Sequence, residues 1–178
     1  MYGAPPSPIL VDVTGVEVSA LDFLKGRLIP DVELESASGR PFDFLAHARL
    51  LIYLYPGAAG IIRGDETPLF DAEQHRAFRD RCEDMAACGF TVVGVGSQSL
   101  HKQRRAVAAN NLLQELLSDP NFCLAEELGL PTRRLGPARV YERLTLLVTA
   151  GWISHALEPL PTPKRHPTYV AHLLRQMQ

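Results

Sequence analysis

Two residues four apart open the question of chemistry. Asp71 and His75 stand at helical spacing in the stretch TPLFDAEQHRAFRD, residues 67–80. One helical face would present a carboxylate and an imidazole together, a pair suited to acid–base work or to holding a metal. Two groups are too few for a metal site, so no metal and no cofactor is expected, and an ion pair along the helix face is the plainer alternative. Asp71 also has a purely structural reading. Asp71-Ala72-Glu73-Gln74 has the form of a capping box, with Asp71 as N-cap and Gln74 at the third helical position. Thr67-Pro68 offers a competing helix start one turn earlier, with proline in the first turn.

The remaining candidates are weaker. Three cysteines, Cys82, Cys88 and Cys123, form no CxxC pair, which argues against a disulfide scaffold. Cys82 is expected to face the core. Cys88 sits at a helix C-terminus, where the dipole disfavours a thiolate. Cys123 falls in the first turns of a helix opened by Asp119-Pro120, a place that favours an anion. It is read as a buried packing residue with residual thiol redox activity as the sharper alternative. His101, His155 and His166 lack ligand spacing and are read as surface residues. Tyr53 and Tyr55 fall on a central strand and are read as core, with one of them lining a pocket mouth as the alternative.

These residues need elements to position them. Leu28–Leu34 and Pro41–Phe44, joined by the Ser38-Gly39 turn, read as a hairpin. Arg49–Tyr55 is nearly all apolar, as expected of a strand buried on both faces. A helix follows over 72–88, stopped by Gly89, with Phe78, Cys82, Met85 and Ala86 on its inner face. Phe90–Val95 is a second buried strand. Helices are expected over 99–110, with Lys102, Arg104 and Arg105 making a cationic face, and over 121–128. Val140–Thr149 and Trp152–Leu157 form a hairpin about Ala150-Gly151. A closing helix over 167–177 turns Val170, Leu173, Leu174 and Met177 inward. Strand–helix–strand in the middle implies a right-handed parallel crossover, and the final hairpin adds antiparallel strands. The order is that of an α/β thioredoxin fold: a mixed central sheet flanked by helices, with N-terminal strand additions. Residues 1–26 read as an N-terminal arm in which Val11–Val18 adds an edge strand; residues 27–178 form the domain.

Composition excludes several classes. A length of 178 residues, 46% hydrophobic and 21% charged with a net charge of −2, fits one ordinary domain. Basic residues do not gather on one face, so no nucleic acid is expected. No apolar run approaches the ~20 residues of a membrane helix, and the N-terminus lacks a secretory pattern. A cytoplasmic location is the expectation.

The stretches IPDVELESASGRPFD, LIYLYPG, FRD, GFTVVGVGSQS, LLSDP, LAEELGLPT, YERLTLLVTAGWISHALEPL and RH run in order from about residue 28 to the C-terminus. In order and spacing the chain resembles the peroxiredoxins of the alkyl hydroperoxide reductase/thiol-specific antioxidant group, especially the bacterioferritin-comigratory-like branch. The resemblance implies a thioredoxin fold of peroxiredoxin type. It also implies a Pro-x-x-x-Thr/Ser-x-x-Cys loop entering a helix, with an arginine from a neighbouring strand beside the thiolate. In such a site the helix N-terminus and the arginine stabilise the thiolate, and the sulfur attacks the peroxide bond to give a sulfenic acid.

Pro56 matches the loop proline and Arg143 the arginine. The nucleophile has no counterpart. Counting back from FRD puts Asp71 at the cysteine position; aligning Thr67-Pro68 with the family's Thr-Pro puts Phe70 there. The resemblance therefore implies a protein without the peroxidatic cysteine, with Arg143 pairing Asp71 in place of a thiolate. Two readings follow: a pseudo-enzyme with a binding or regulatory role, or an enzyme with new chemistry from Asp71, His75 and Arg143. In either, Pro56, Thr67 and Phe70 would line a pocket for a small molecule. A family-type homodimer is the expected assembly.

Overall fold

The computed structural model describes residues 10–11, 17–57, 64, 66–159, 162 and 164–178. In chain order its elements are β1 (Leu10–Val11), β2 (Glu17–Val18), β3 (Leu34–Ser36), β4 (Pro41–Phe42), β5 (Arg49–Leu54), α1 (Thr67–Arg79), α2 (Cys82–Ala87), β6 (Thr91–Gly96), α3 (Leu100–Asn110), β7 (Glu115–Ser118), α4 (Cys123–Leu128), β8 (Thr132–Leu135), β9 (Ala138–Tyr141), β10 (Leu144–Thr149), β11 (Trp152–Leu157) and α5 (His166–Gln176). Seven strands form one sheet in the order β11-β10-β5-β6-β7-β3-β4. β5, β6 and β7 run parallel, joined through helices, while β10, β11, β3 and β4 pair antiparallel.

The alternation along β5 builds both cores. Leu50, Ile52 and Leu54 enter one buried cluster with Val93, Val95, Leu124 and Leu146. Leu51, Tyr53 and Tyr55 enter the other with Phe78, Met85, Leu116, Val170 and Leu174. The second face carries α1, α2, α3 and α5; α4 lies on the first. Tyrosines fit on β5 because the neighbouring strand makes room. A Cβ on Gly94 would lie 2.6 Å from Tyr53 Cζ and 2.7 Å from Leu116 Cδ2, and one on Gly96 would lie 2.6 Å from Tyr55 Cζ. Glycine in a strand marks such a close approach.

Several expectations change. Leu10–Val11 and Glu17–Val18 pair with each other rather than with the main sheet; the rest of that expected edge strand lies outside the described residues. Leu21 and Leu24, assigned to the arm, are buried in the core. Leu28 makes only a bridge to Trp152, so the first hairpin is confined to β3 and β4. The helix expected over 72–88 is two helices. α1 begins a turn earlier, with Pro68 in its first turn, and stops where Arg81 leaves helical geometry at φ −115°. Ala86 and Met177 are exposed. β7 has no counterpart among the expected elements, since four residues carry no clear period. The strand expected over 140–149 breaks at Glu142-Arg143 into β9 and β10, and β9 pairs with the unforeseen β8.

α4 is held at both ends by side chains from outside it. The Asp119 carboxylate accepts from the N–H groups of Cys123 (2.8 Å) and Leu124 (2.9 Å), and the Tyr141 hydroxyl donates to it at 2.7 Å. Arg27 donates to the carbonyls of Leu128 (2.8 Å) and Glu127 (2.9 Å) at the other end.

Candidate functional site

α1 buries Asp71, Gln74, His75 and Phe78, the i, i+3, i+4, i+7 positions of one face. Three of the four are polar, which is unusual for a buried stripe and needs partners. Arg143 supplies one set. It sits immediately before β10, where Leu144 pairs with Leu54 of β5, so its side chain reaches over the end of the sheet to α1. Its Nη2 lies 2.6 Å from Asp71 Oδ1. Its Nη1 donates to Gln74 Oε1, and Nη2 also reaches the Thr67 carbonyl at 3.4 Å. Gln74 Nε2 donates to the Leu54 carbonyl at 3.4 Å. The side chains of Arg143 and Asp71 are only 14% and 8% exposed.

His75 belongs to a second network under the helix. Its Nδ1 shares a 2.9 Å hydrogen bond with the Tyr53 hydroxyl. Gln114 Nε2 donates to that hydroxyl (3.1 Å) and to the His75 carbonyl (2.9 Å), and Cys82 Sγ donates to Gln114 Oε1 at 3.8 Å. The His75 ring meets Tyr55 edge-on at 4.4 Å, and Tyr53 stacks on Phe78 at 4.2 Å. Gln103 donates to the Tyr55 hydroxyl at 3.0 Å. Burial, reinforced by the charges of Arg143 and Arg76, lowers the His75 pKa to about 3. The imidazole is neutral and far from the value near 7 that suits a general base. Burial raises the pKa of both tyrosines.

Asp71 is not an N-cap. It is the fifth residue of α1, and the cap position is Glu66, whose side chain makes no capping bond. The capping-box pattern loses because Pro68 lets the helix start earlier. Pro56 is buried at the end of β5, Thr67 opens α1, and Phe70 is 41% exposed with Leu69 beside it at 66%. Neither apolar side chain is buried. Gln74, read from the sequence only as part of a capping box, instead completes the arginine's contacts, and its place on the Asp71–Phe78 stripe was the signal.

The cysteines and outer histidines also move. Cys123 is exposed rather than buried, and its thiol is pushed up by desolvation and by Asp119, whose carboxylate already occupies the start of α4. Burial and then Asp80 raise Cys82 to about 11. His166 is buried rather than superficial, bonded through Nε2 to Thr145 Oγ1 at 2.8 Å. Among the described residues no group of three or more His, Cys, Asp or Glu could hold a metal, and no helix is long and apolar enough to cross a membrane.

The model of the AhpC/TSA family matches residues 26–155. The chain belongs to the AhpC/TSA family. A chloroplastic peroxiredoxin Q of Sedum lineare is 30% identical over 114 residues, covering 63% of this chain and 57% of that relative. The chain therefore spans less than two thirds of that relative's length. Among solved structures, peroxidoxin BcpB of Mycobacterium tuberculosis superposes with a TM-score of 0.71 at 19% identity, covering 86% of this chain and 97% of that one. Peroxiredoxin Q of Xanthomonas campestris gives 0.70 at 21% identity, covering 86% and 98%. At these identities the solved structures establish the fold alone: a thioredoxin-like, peroxiredoxin-type AhpC/TSA domain with a mixed sheet flanked by helices.

Proposed function

We propose that this AhpC/TSA protein is not a thiol peroxidase but a pseudo-enzyme with a binding or regulatory role. The observation that carries the reading is the Asp71–Arg143 pair. A carboxylate meets the guanidinium where the family resemblance calls for a thiolate, and no cysteine precedes Cys82 in the chain. A carboxylate is a hard, weak nucleophile toward peroxide and has no product like a sulfenic acid. Asp71 also lies one turn inside α1, away from the free N–H groups that favour an anion at a helix start. None of the three thiols compensates: Cys88 is buried, and Cys82 and Cys123 are both shifted upward, where a thiol is the weaker nucleophile.

The alternative, an enzyme using Asp71, His75 and Arg143, finds less support. Arg143 is already committed to Asp71 and Gln74, and His75 is neutral and walled in by aromatic rings. A ligand bound against Pro56, Thr67 and Phe70 would have to displace the ion pair or rest outside it. A cytosolic homodimer belongs to the same proposal and is read out by sedimentation and cell fractionation.

The test is hydrogen peroxide consumption with dithiothreitol or thioredoxin as reductant, beside a cysteine-bearing relative. No turnover above the reductant's own background is expected. Turnover comparable to the relative overturns the proposal, and its loss in Cys123→Ser would assign the activity to that thiol.

A further inference from the structure

The outer face of α1 carries a different chemistry from its inner face. A cavity of about 580 Å³ lies between α1, the α1–α2 junction and the start of α5, within the size range of small-molecule sites. Arg76, Arg79, Arg81 and Lys164 line it together with Glu73 and Asp80. Four cations meet two carboxylates in a chain whose net charge is −2.

The existing contacts do not cancel that excess. Arg79 is matched by Asp80 at 2.7 Å. Arg76 donates to the neutral Asn110 Oδ1 at 2.9 Å and keeps its full charge. Arg81 shares the Asp84 carboxylate with Arg175, at 3.1 Å and 2.9 Å, so one anion serves two guanidiniums. The lining has no aromatic ring and only one aliphatic side chain, Ala77; Thr168 adds a hydroxyl. A ligand with a flat base or an acyl chain would find nothing to stack on or bury against. Guanidinium and ammonium groups suit a phosphate, while Glu73, Asp80 and Thr168 suit hydroxyl donors.

We infer that this groove is a binding site for a small phosphorylated polyol or sugar, with the phosphate held by the cations and the hydroxyls by the carboxylates. The site is separate from the Asp71–Arg143 pair, and the inference holds or fails independently of the peroxide reading.

Calorimetric titration with glucose 6-phosphate, glucose, inorganic phosphate and AMP tests it. Glucose 6-phosphate is expected to bind the wild type, tighter than inorganic phosphate or AMP, while glucose does not bind. Lys164→Glu should weaken the binding about tenfold or more, as loss of a facing charge does, and Lys164→Gln by less. Raising the salt concentration should weaken it too. Circular dichroism checks that the variants fold, and Arg81→Gln gives a second route should Lys164→Glu fail to. Absence of glucose 6-phosphate binding, or binding unchanged in both Lys164→Glu and Arg81→Gln, overturns the site. AMP or inorganic phosphate binding as tightly as the sugar phosphate overturns the ligand class.

Discussion

Asp71 and Arg143 come from α1 and from the residue before β10, and their side chains meet at 2.6 Å while almost sealed from solvent. A buried ion pair is weak evidence for stability in itself, but removing one partner leaves an uncompensated charge. Asp71→Ala should therefore cost roughly 3 kcal/mol, more than the ~1 kcal/mol typical of a lost N-cap. Asp71→Asn, which keeps an acceptor for the guanidinium, should cost less. Asp71→Leu combined with Arg143→Met should recover most of the loss. Urea unfolding of these proteins, with Asp71→Leu and Arg143→Met alone to complete the cycle, decides this; a strictly additive double mutant would show the two residues uncoupled.

Acid should destabilise the fold through its buried histidines. Burial lowers His75 from 6.5 to about 3 and His166 from 6.5 to about 4. The unfolded chain therefore takes up protons below pH 6.5 that the native protein refuses. Their contribution is fully present above pH 6.5 and is lost as pH falls toward the folded values, at about 1.4 kcal/mol per pH unit for each group. Unfolding free energies measured between pH 7 and pH 4.5 should decline, and His166→Asn should flatten the slope. An unchanged slope would mean that His166 titrates alike in both states.

Gly94 and Gly96 are predicted to resist even alanine. A methyl group on Gly94 would stand 2.6 Å from the Tyr53 ring, and overpacking a filled core costs about 1–3 kcal/mol. Gly94→Ala should lower the melting temperature, with partial recovery when Tyr53 is changed to Leu. A neutral Gly94→Ala would show that Tyr53 and Leu116 can shift at no cost.

The three thiols should separate by accessibility. Cys123 is exposed, Cys82 is half-buried and Cys88 is buried. A maleimide at pH 7 should label Cys123 in the native protein, Cys82 more slowly, and Cys88 only after denaturation. Mass spectrometry of the labelled peptides reads the order, and rapid labelling of Cys88 would contradict its place in the core.

Much of this was legible from residue patterns. The continuous apolar run of β5, the parallel crossover to β6 and the final β10–β11 hairpin follow from composition and turns. So did the meeting of Arg143 with Asp71, although only the family likeness linked two residues 72 apart. The misses have local causes. β7 is four residues long, too short for a period to declare itself, and β8–β9 is a small excursion from the main sheet. Asp71 looked like a cap because capping patterns recur where a helix has already begun. His166 and Cys123 exchanged places between surface and core because a single residue's burial depends on what packs over it. The polar stripe on α1 could be seen at Asp71 and His75. Its partners Tyr53 and Gln114 come from β5 and from the residue before β7, whose proximity only the folded topology creates.

The tethering of α4 bears on the order of events in folding. A six-residue helix is far below the length that holds together alone in water. Its start is anchored by Asp119 and Tyr141, and its end by Arg27, about a hundred residues away along the chain. Those anchors come together only after β7, β9 and the segment before β3 have been gathered around the sheet. α4 should thus be a late arrival, its interactions largely absent from the transition state, so that Arg27→Ala speeds unfolding and leaves the folding rate almost untouched.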